Sequence, residues 1–289
     1  MEILGRYVDI SGMRTYYESI GEGSPIVFMA MAGADGGQYR RVLPYFGERG
    51  YRAIALDMPG HGRSYPNLET MHRIDDEQEW VDFVWSFTTR LKLVRPIFVG
   101  AAISASFLLN LASQKGDAIG AVVSIGGNAD HRGRLSPLYM DFLNHPQVNS
   151  ADYQGSSLAG ICAPTVSNAT LNEIIWQSAR RVEPLAFWSD LHIFDLHNIK
   201  EQLAKKPIKA PVLHLRGEFD PVITDEQVKV LKRLIPKAKF ETLKDVGHFA
   251  MIEDPDQLNR TIGAFLDGLR GSSNNGRSHR RAAATPARQ

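Results

Sequence analysis

The feature that most restricts the fold is a series of short, mostly apolar runs separated by segments long enough for helices. Such alternation is typical of a parallel β-sheet covered by helices on both faces, because its strands are buried on both sides. With 289 residues, 43% of them hydrophobic, the chain can form one large α/β domain with an insertion or two small domains. The runs are residues 26–30, 51–56, 96–99, 121–125, 211–215 and 240–243.

The two ends of the chain carry local signals of their own. Residues 7–10 and 13–17 flank Ser11-Gly12, which predicts a β-hairpin before the first parallel strand. Pro255 and the apolar residues that follow at helical spacing predict a last helix. Residues 271–289 are rich in Ser, Asn, Gly, Arg and Ala, so we expect a disordered tail without a catalytic role.

The alternating rhythm fails between Gly127 and about Pro207. This stretch has turn motifs, then helix-like segments over residues 171–181 and 184–196, and many large apolar side chains. We therefore predict an α/β core formed by residues 1–127 and 208–270, with a helical cap inserted at residues 128–207. Alternatively, the aromatic residues of this stretch belong to an ordinary helical core rather than to a cap.

Charge and cysteine content exclude several classes of function. The net charge of +1 gives no general attraction to nucleic acid or to an anionic membrane. Cys162 is the single cysteine, so no internal disulfide is expected, and no paired histidine motif lies near it to make it a catalytic thiol. The first residues lack the pattern of a signal peptide, and no apolar stretch approaches a membrane span, so we expect a cytoplasmic location.

A tight strand-to-helix turn is predicted after Val99. The apolar strand ends there, an apolar helix follows, and the small residues Gly100 and Ser104 allow a sharp turn between them. This layout is typical of a nucleophile elbow, where a strained turn raises one side chain above a parallel sheet. The raised residue is Ala102, so a methyl group stands in the nucleophile position.

An acid and a base follow in the order that acyl-transfer chemistry on such a sheet requires. Asp220, in the motif GEFDP, follows the predicted strand at 211–215, and His248, in the motif VGH, precedes the last helix. Taken alone, Asp220 also fits a turn and His248 a loop or cap. Asp130, after the preceding strand, is a second candidate for the acid.

With these residues and the motif DMPGHGRS at residues 57–64, the chain resembles the α/β-hydrolases, a family of esterases, lactonases and carbon–carbon bond hydrolases. The resemblance extends over about residues 7 to 269. It implies a structural rather than catalytic role for His61. It also implies that the backbone N–H groups of Ala32 and Ile103 form the oxyanion hole.

The sequence departs from the family pattern at two places. The family has Ser, Asp or Cys where this chain has Ala102, and a His-Gly pair where it has Ala30-Met31. The second difference predicts a more apolar floor at Met31. For the first, three interpretations stand: a serine replaced by alanine, a natural binding protein without acyl chemistry, or a shifted register in which Ser104 is the nucleophile.

The leading functional hypothesis is a hydrolase of carboxylic esters, inactivated by a serine-to-alanine change at position 102. A serine there would attack the acyl carbon, His248 would act as general base and then acid, and Asp220 would orient the imidazole. No metal ligand cluster or phosphate-binding glycine loop is present, so no metal and no cofactor are expected. The expected partner is a small-molecule ester or lactone, with neither nucleic acid nor membrane, and a homodimer is left open.

The predicted cap suggests the substrate class and the rival functions. Its aromatic side chains favour a hydrophobic or aromatic substrate, and a carboxylate offers a polar contact; these candidates are Trp176, Phe187, Trp188, Asp190 and Phe194. A lactonase would use the same catalytic residues. A carbon–carbon bond hydrolase needs a basic cap residue such as Arg180 or Arg181, and a ligand-binding protein would explain Ala102 without any chemistry.

Overall fold

A computed structural model describes residues 1–64, 74–143, 145–148, 150–179 and 181–282. Its strands are β1 (Leu4–Ile10), β2 (Met13–Ile20), β3 (Ser24–Met29), β4 (Tyr51–Leu56), β5 (Ile97–Ala101), β6 (Ala121–Ile125), β7 (Val212–Gly217) and β8 (Lys239–Leu243). Within the described ranges they form one eight-stranded sheet in the order β1-β2-β4-β3-β5-β6-β7-β8. All of the apolar runs are strands, so the predicted mostly parallel α/β fold is confirmed.

The direction of the strands follows from how they are connected. The hairpin β1–β2 is antiparallel, as is the pair β2–β4, whereas β4, β3, β5, β6, β7 and β8 run parallel. Ser11 and Gly12, the two residues of the hairpin turn, have φ angles of 55° and 85°. Positive φ at both positions matches the twist of a two-residue hairpin.

The helices follow the strands along the chain. They are α1 (Leu43–Gly47), α2 (Glu77–Arg90), α3 (Ile103–Lys115), α4 (Pro137–Leu143), α5 (Ser150–Ala159), α6 (Asn168–Ala179), α7 (Pro184–Leu196), α8 (Lys200–Lys205), α9 (Asp225–Leu234), α10 (Ala250–Glu253) and α11 (Pro255–Ala282). Short 3₁₀ helices lie at Gly36–Tyr39 and Gly116–Ala118.

The sheet separates two apolar cores, as the alternation of side chains in β3 shows. Ile26 and Phe28 pack into the core that α11 closes, whereas Val27 and Met29 pack into the core formed with α2 and α3. All four side chains are fully buried. A strand that is buried on both faces positions its carboxyl end rigidly, and that end carries the loops of the candidate site.

The irregular stretch after β6 forms helices. Helices α4 to α8 lie between β6 and β7, where the sequence pattern loses its rhythm. Residues of α4 and α7 form a small apolar cluster with Phe187 and Leu191 at its centre. The division of the chain at residues 127/128 and 207/208 into core and cap stays a prediction.

At the end of the chain, helix α11 extends to Ala282. The disordered tail that the sequence predicts for residues 271–289 stays a prediction. Residues 283–289 of the predicted tail lie outside the described residues.

Among the helices of the described ranges, none has the length and apolar composition that crossing a membrane requires.

Candidate active site

A strained turn joins β5 to α3 and presents Ala102. Its φ and ψ angles are 50° and −115°, a conformation that costs a non-glycine residue about 1–3 kcal/mol. Ala102 donates its N–H to the carbonyl oxygen of Ile125 at 2.8 Å and accepts one hydrogen bond from the N–H of Ser106 at 3.1 Å. These bonds hold the predicted elbow in place around a methyl group.

The small residues of the elbow are required by close packing. A Cβ added at Gly100 would lie 2.6 Å from Leu108 Cδ1 and 2.8 Å from the backbone nitrogen of Ala105. Ser104 Oγ donates to the carbonyl oxygen of Ala30 at 2.5 Å, and the residue is 2% exposed. Because its hydroxyl ties the helix to the end of β3, Ser104 has a structural role, which argues against the shifted register.

The predicted acid and base form a hydrogen-bonded pair. His248 Nδ1 lies 2.9 Å from Asp220 Oδ2, and both residues are buried. The backbone positions each of them: Val222 donates its N–H to Asp220 Oδ1 at 2.8 Å, and His248 donates its N–H to the carbonyl oxygen of Ile161 at 3.0 Å.

The alternative acid is engaged elsewhere. Asp130 pairs with the ammonium group of Lys200, and its Oδ1 accepts a hydrogen bond from the N–H of Arg132 at 3.3 Å. The structure therefore brings Asp220, and not Asp130, to the histidine.

The charge of Asp220 determines which ring nitrogen of His248 carries the proton. Burial alone would raise the pKa of Asp220, but the charge of His248 and hydrogen bonds from His248, Val222 and Ile223 outweigh it and hold that pKa below its ordinary value. An ionised carboxylate only accepts hydrogen bonds, so Nδ1 of His248 is the donor. In the neutral imidazole, Nε2 then carries the lone pair and can act as a base.

The two residues predicted to supply the oxyanion donors lie at the same cavity as this base. Ala32 and Ile103 line the same cavity as Ala102 and His248. Ile103 is the first residue of α3, where a backbone N–H has no partner within the helix. Within the described ranges, no hydrogen bond from either N–H to another group is recorded. The predicted oxyanion donors are therefore available to a ligand.

The cavity over Ala102 is small and apolar, with a volume of about 250 Å³. Of the substrate-contact candidates, Met31, Phe187 and Phe194 line it. Trp176 does not, being 60% exposed on α6. Trp188 lies outside the lining too and stacks on His192, with ring centroids 4.8 Å apart. The remaining lining residues, which the sequence analysis missed, are His131, Leu135, Tyr139, Ser157, Leu158, Ile161, Leu191 and Val222.

His131 is the most informative of the missed residues, because the sequence shows it only as part of a turn. Burial, followed by the charge of Arg134, lowers its pKa to about 4, so it is neutral near pH 7. Asn128 Oδ1 accepts a hydrogen bond from the N–H of Asp130, which turns the Asn128 amide nitrogen toward His131 Nδ1 at 3.3 Å. Nδ1 is thus an acceptor, and Nε2 is the nitrogen that carries the proton.

Asp190 of helix α7 contacts Gly33 and His61 rather than lining the cavity. Its Oδ2 accepts a hydrogen bond from His61 Nε2 at 2.8 Å and a longer one from the N–H of Gly33 at 3.4 Å. His61 Nδ1 also donates, to the carbonyl oxygen of Pro59 at 2.8 Å. With two acceptors facing its ring, His61 is held as an imidazolium, in agreement with its expected structural role.

This pair predicts a pH-dependent contribution to stability. Burial disfavours the charged ring, but Asp190 and the carbonyl of Pro59 outweigh it and raise the pKa of His61 to about 9. A raised pKa contributes stability that is complete below the unfolded pKa of about 6.5 and is lost as pH rises through about 9. The difference in unfolding free energy between the parent and His61→Gln, measured in urea, should therefore shrink between pH 6.5 and 9.5. A difference that stays constant over this range would contradict the buried ion pair.

Other chemistries find little support at this site. Cys162 is half-buried, and burial, followed by the charge of Glu253, raises the pKa of its thiol to about 12. Its Sγ lies 3.4 Å from the carbonyl oxygen of Leu158, so it is a hydrogen-bonded thiol and not a thiolate nucleophile. Among the residues that the structure describes, no group of three or more His, Cys, Asp and Glu side chains is arranged to hold a metal ion.

Comparison with known proteins agrees with this geometry. The family model described as alpha/beta hydrolase fold matches residues 25–255. The 2-hydroxy-6-oxo-6-(2'-aminophenyl)hexa-2,4-dienoic acid hydrolase of Metapseudomonas resinovorans is 23% identical over 276 residues, which cover 90% of each chain.

Solved structures share the whole fold. The enol-lactonase from Burkholderia xenovorans LB400 superposes with a TM-score of 0.78 at 18% identity, covering 91% of this chain and 100% of that one. The N-acyl homoserine lactone degrading enzyme Est816 superposes with a TM-score of 0.74 at 26% identity, covering 90% and 100%. With the sheet order, the elbow and the Asp220–His248 pair, these matches show that the chain belongs to the α/β-hydrolase family.

Proposed function

We propose that this is a site for acyl transfer on neutral carboxylic esters, and that a serine-to-alanine change at position 102 closes the covalent route in the chain as it stands. The observation that carries the proposal is the buried Asp220–His248 pair, hydrogen-bonded at 2.9 Å, whose histidine lines the same cavity as Ala102. A base oriented by a carboxylate beside an elbow is the arrangement that a serine nucleophile requires.

With serine at position 102, each group would have a defined task. His248 Nε2 would take the hydroxyl proton while Oγ attacks the acyl carbon. The N–H groups of Ala32 and Ile103 would hold the oxyanion of the tetrahedral intermediate. The imidazolium would then protonate the leaving alcohol, and water would release the acid by the same steps. Asp220 would hold the ring in one tautomer throughout.

The lining of the cavity supports a neutral substrate. No Lys, Arg, Asp or Glu is among its described lining residues, and His131 is neutral near pH 7. Desolvating an unpaired carboxylate in such a cavity would be costly, whereas an apolar group gains about 25 cal/mol for each Å² buried. His131 Nε2–H offers a donor for an uncharged oxygen of the substrate.

The same observation weighs against cleavage of an anionic dienoate, the substrate class in the name of the Metapseudomonas resinovorans relative. Such a substrate needs a basic partner. Arg181 Nε is already bonded to Asp35 Oδ2 at 2.9 Å, and Arg180 lies outside the described residues. A lactone, like an ester, is a neutral acyl compound, and two of the similar solved structures are named for lactone substrates.

A ligand-binding protein is the second candidate, and Ala102 itself favours it. The methyl group leaves the cavity without a nucleophile, while its aromatic and aliphatic walls remain suited to an apolar ligand. This candidate predicts tight binding and no gain of turnover when a serine is introduced.

The test compares the parent with Ala102→Ser on p-nitrophenyl acetate, p-nitrophenyl phenylacetate and γ- and δ-lactones. The serine form should gain several orders of magnitude in rate and one fluorophosphonate adduct by intact mass, because only it has a hydroxyl beside His248. Ala102→Ser with His248→Gln is the matched control and should lose both. If Ala102→Ser gains neither activity nor adduct while its fold is intact, the hydrolase proposal fails and the ligand-binding protein replaces it.

A further inference from the structure

Among the described residues, no side-chain hydroxyl or thiol is hydrogen-bonded to His248, the predicted base. His248 is oriented by Asp220, and in the described ranges no hydrogen bond joins its Nε2 to another group. With serine absent, a bound molecule would have to supply the proton that His248 removes. Ala32 and Ile103 line the same cavity, and their backbone N–H groups can donate hydrogen bonds to an oxygen on which negative charge develops.

The elbow keeps its strained geometry although it presents no hydroxyl. The φ angle of 50° at Ala102 directs the chain from β5 into α3, and so sets the position of the Ile103 N–H at the start of the helix. Strain of about 1–3 kcal/mol is typical where a backbone is held for a ligand. The strained turn therefore sets the position of a backbone donor at the cavity whether or not residue 102 carries a hydroxyl.

We propose that this chain, with alanine at position 102, uses His248 to remove a proton from the carbon next to the carbonyl group of a neutral ketone, ester or lactone. The inference rests on the proposed function only for the location of the site, and not on the presence of a nucleophile. It adds proton transfer at carbon, and hence enolisation or isomerisation, to the chemistry that this cavity can perform.

The step balances without any co-reactant. The Nε2 lone pair of His248 takes the proton, and the C–H electron pair forms a double bond to the carbonyl carbon. The π pair of the carbonyl moves to its oxygen, giving an enolate that accepts hydrogen bonds from the N–H groups of Ala32 and Ile103. Return of a proton from the imidazolium to the same carbon regenerates the base and restores the substrate; in an unsaturated substrate, whose enolate is a dienolate, protonation at the far carbon instead shifts the carbon–carbon double bond.

The shape of the cavity favours a C–H group over a water molecule as the proton donor. Most side chains that line the cavity with His248 are apolar, among them Met31, Ala102 and Val222. Once a carbonyl oxygen occupies the two N–H groups, His131, Tyr139 and Ser157 are the other polar lining residues left to hold a water beside Nε2, whereas ordered waters generally need two to four partners. A carbon acid needs no further partner.

The experiment follows hydrogen exchange into 2-tetralone, a neutral bicyclic ketone with an acidic methylene group, in D₂O. The parent should exchange this methylene about 10²–10⁴ times faster than buffer alone, the range typical of a positioned general base. His248→Gln should reduce the rate to the buffer value and Asp220→Asn should lower it strongly. His192→Gln is the matched control: His192 is exposed on α7, outside the cavity lining, and its replacement should leave exchange unchanged.

The outcomes separate this inference from the proposed function. Exchange that is no faster than buffer, or equally fast in a folded His248→Gln protein, overturns the inference, and it does so even if Ala102→Ser proves to be an esterase. Exchange that depends on His248 supports it, and does so even if Ala102→Ser gains no ester hydrolysis. If the parent instead hydrolyses esters with dependence on His248 and without exchange, the base acts on water and the inference is wrong.

Discussion

In protein that carries Ala102→Ser, Asp220→Asn should lower kcat/KM for p-nitrophenyl esters by about 10³–10⁴-fold, the order of magnitude known for an acid that orients a catalytic histidine. The carboxylate of Asp220 accepts the Nδ1 proton of His248 at 2.9 Å and so leaves Nε2 unprotonated. An asparagine amide can donate to Nδ1 instead, which places the proton on Nε2 and removes the base. The measurement is initial-rate kinetics, together with the rate of fluorophosphonate labelling.

The chain offers a matched control for this substitution. Asp130→Asn makes the same chemical change at the alternative acid, whose ion pair with Lys200 is partly exposed. Surface ion pairs contribute about 0–1 kcal/mol, and Asp130 has no bond to His248, so activity should stay within about threefold of the Ala102→Ser parent. A large loss in Asp130→Asn with little loss in Asp220→Asn would reverse the assignment of the acid.

The sequence predicted the sheet well because a parallel strand that is buried on both faces appears as a continuous apolar run. Each strand is encoded by one short run of consecutive apolar residues, as Ile26 to Met29 in β3 show. The elbow, Asp220 and His248 were predictable for a related reason: each lies in a loop directly after a strand, where chain order and a few small residues fix its place. Local motifs are sufficient there.

The cap-side contacts were less predictable, because the rotation of an inserted helix is set by tertiary packing rather than by local motifs. Phe187 and Phe194 face the cavity, but Trp188 on the same helix stacks on His192 instead. Asp190 meets His61, a residue 129 positions earlier in the chain. His131 was missed because no local pattern marks a neutral, buried histidine in a turn.

A second large effect is expected for stability rather than rate, from Gly217→Ala at the end of β7. An added Cβ would lie 2.1 Å from the carbonyl oxygen of Gly247 and 2.5 Å from that of Val246, both backbone atoms that cannot rotate away. Overpacking of this kind costs about 1–3 kcal/mol, so the midpoint of thermal unfolding should fall by roughly 2–6 °C. Thermal and urea unfolding monitored by circular dichroism measure the change.

The same clash should also separate the acid from the base. Asp220 donates its N–H to the carbonyl oxygen of Gly217 at 3.2 Å, and Gly247 directly precedes His248. A shift of Gly217 should therefore move Asp220, and a shift of Gly247 should move His248. Gly268→Ala is the matched control, since a Cβ there would meet no atom of the described residues within 4 Å. In a helix interior alanine is more favourable than glycine by about 1 kcal/mol. It should raise stability slightly. Equal stability of Gly217→Ala and the parent would mean that β7 and the His248 loop do not approach as closely as the structure has them.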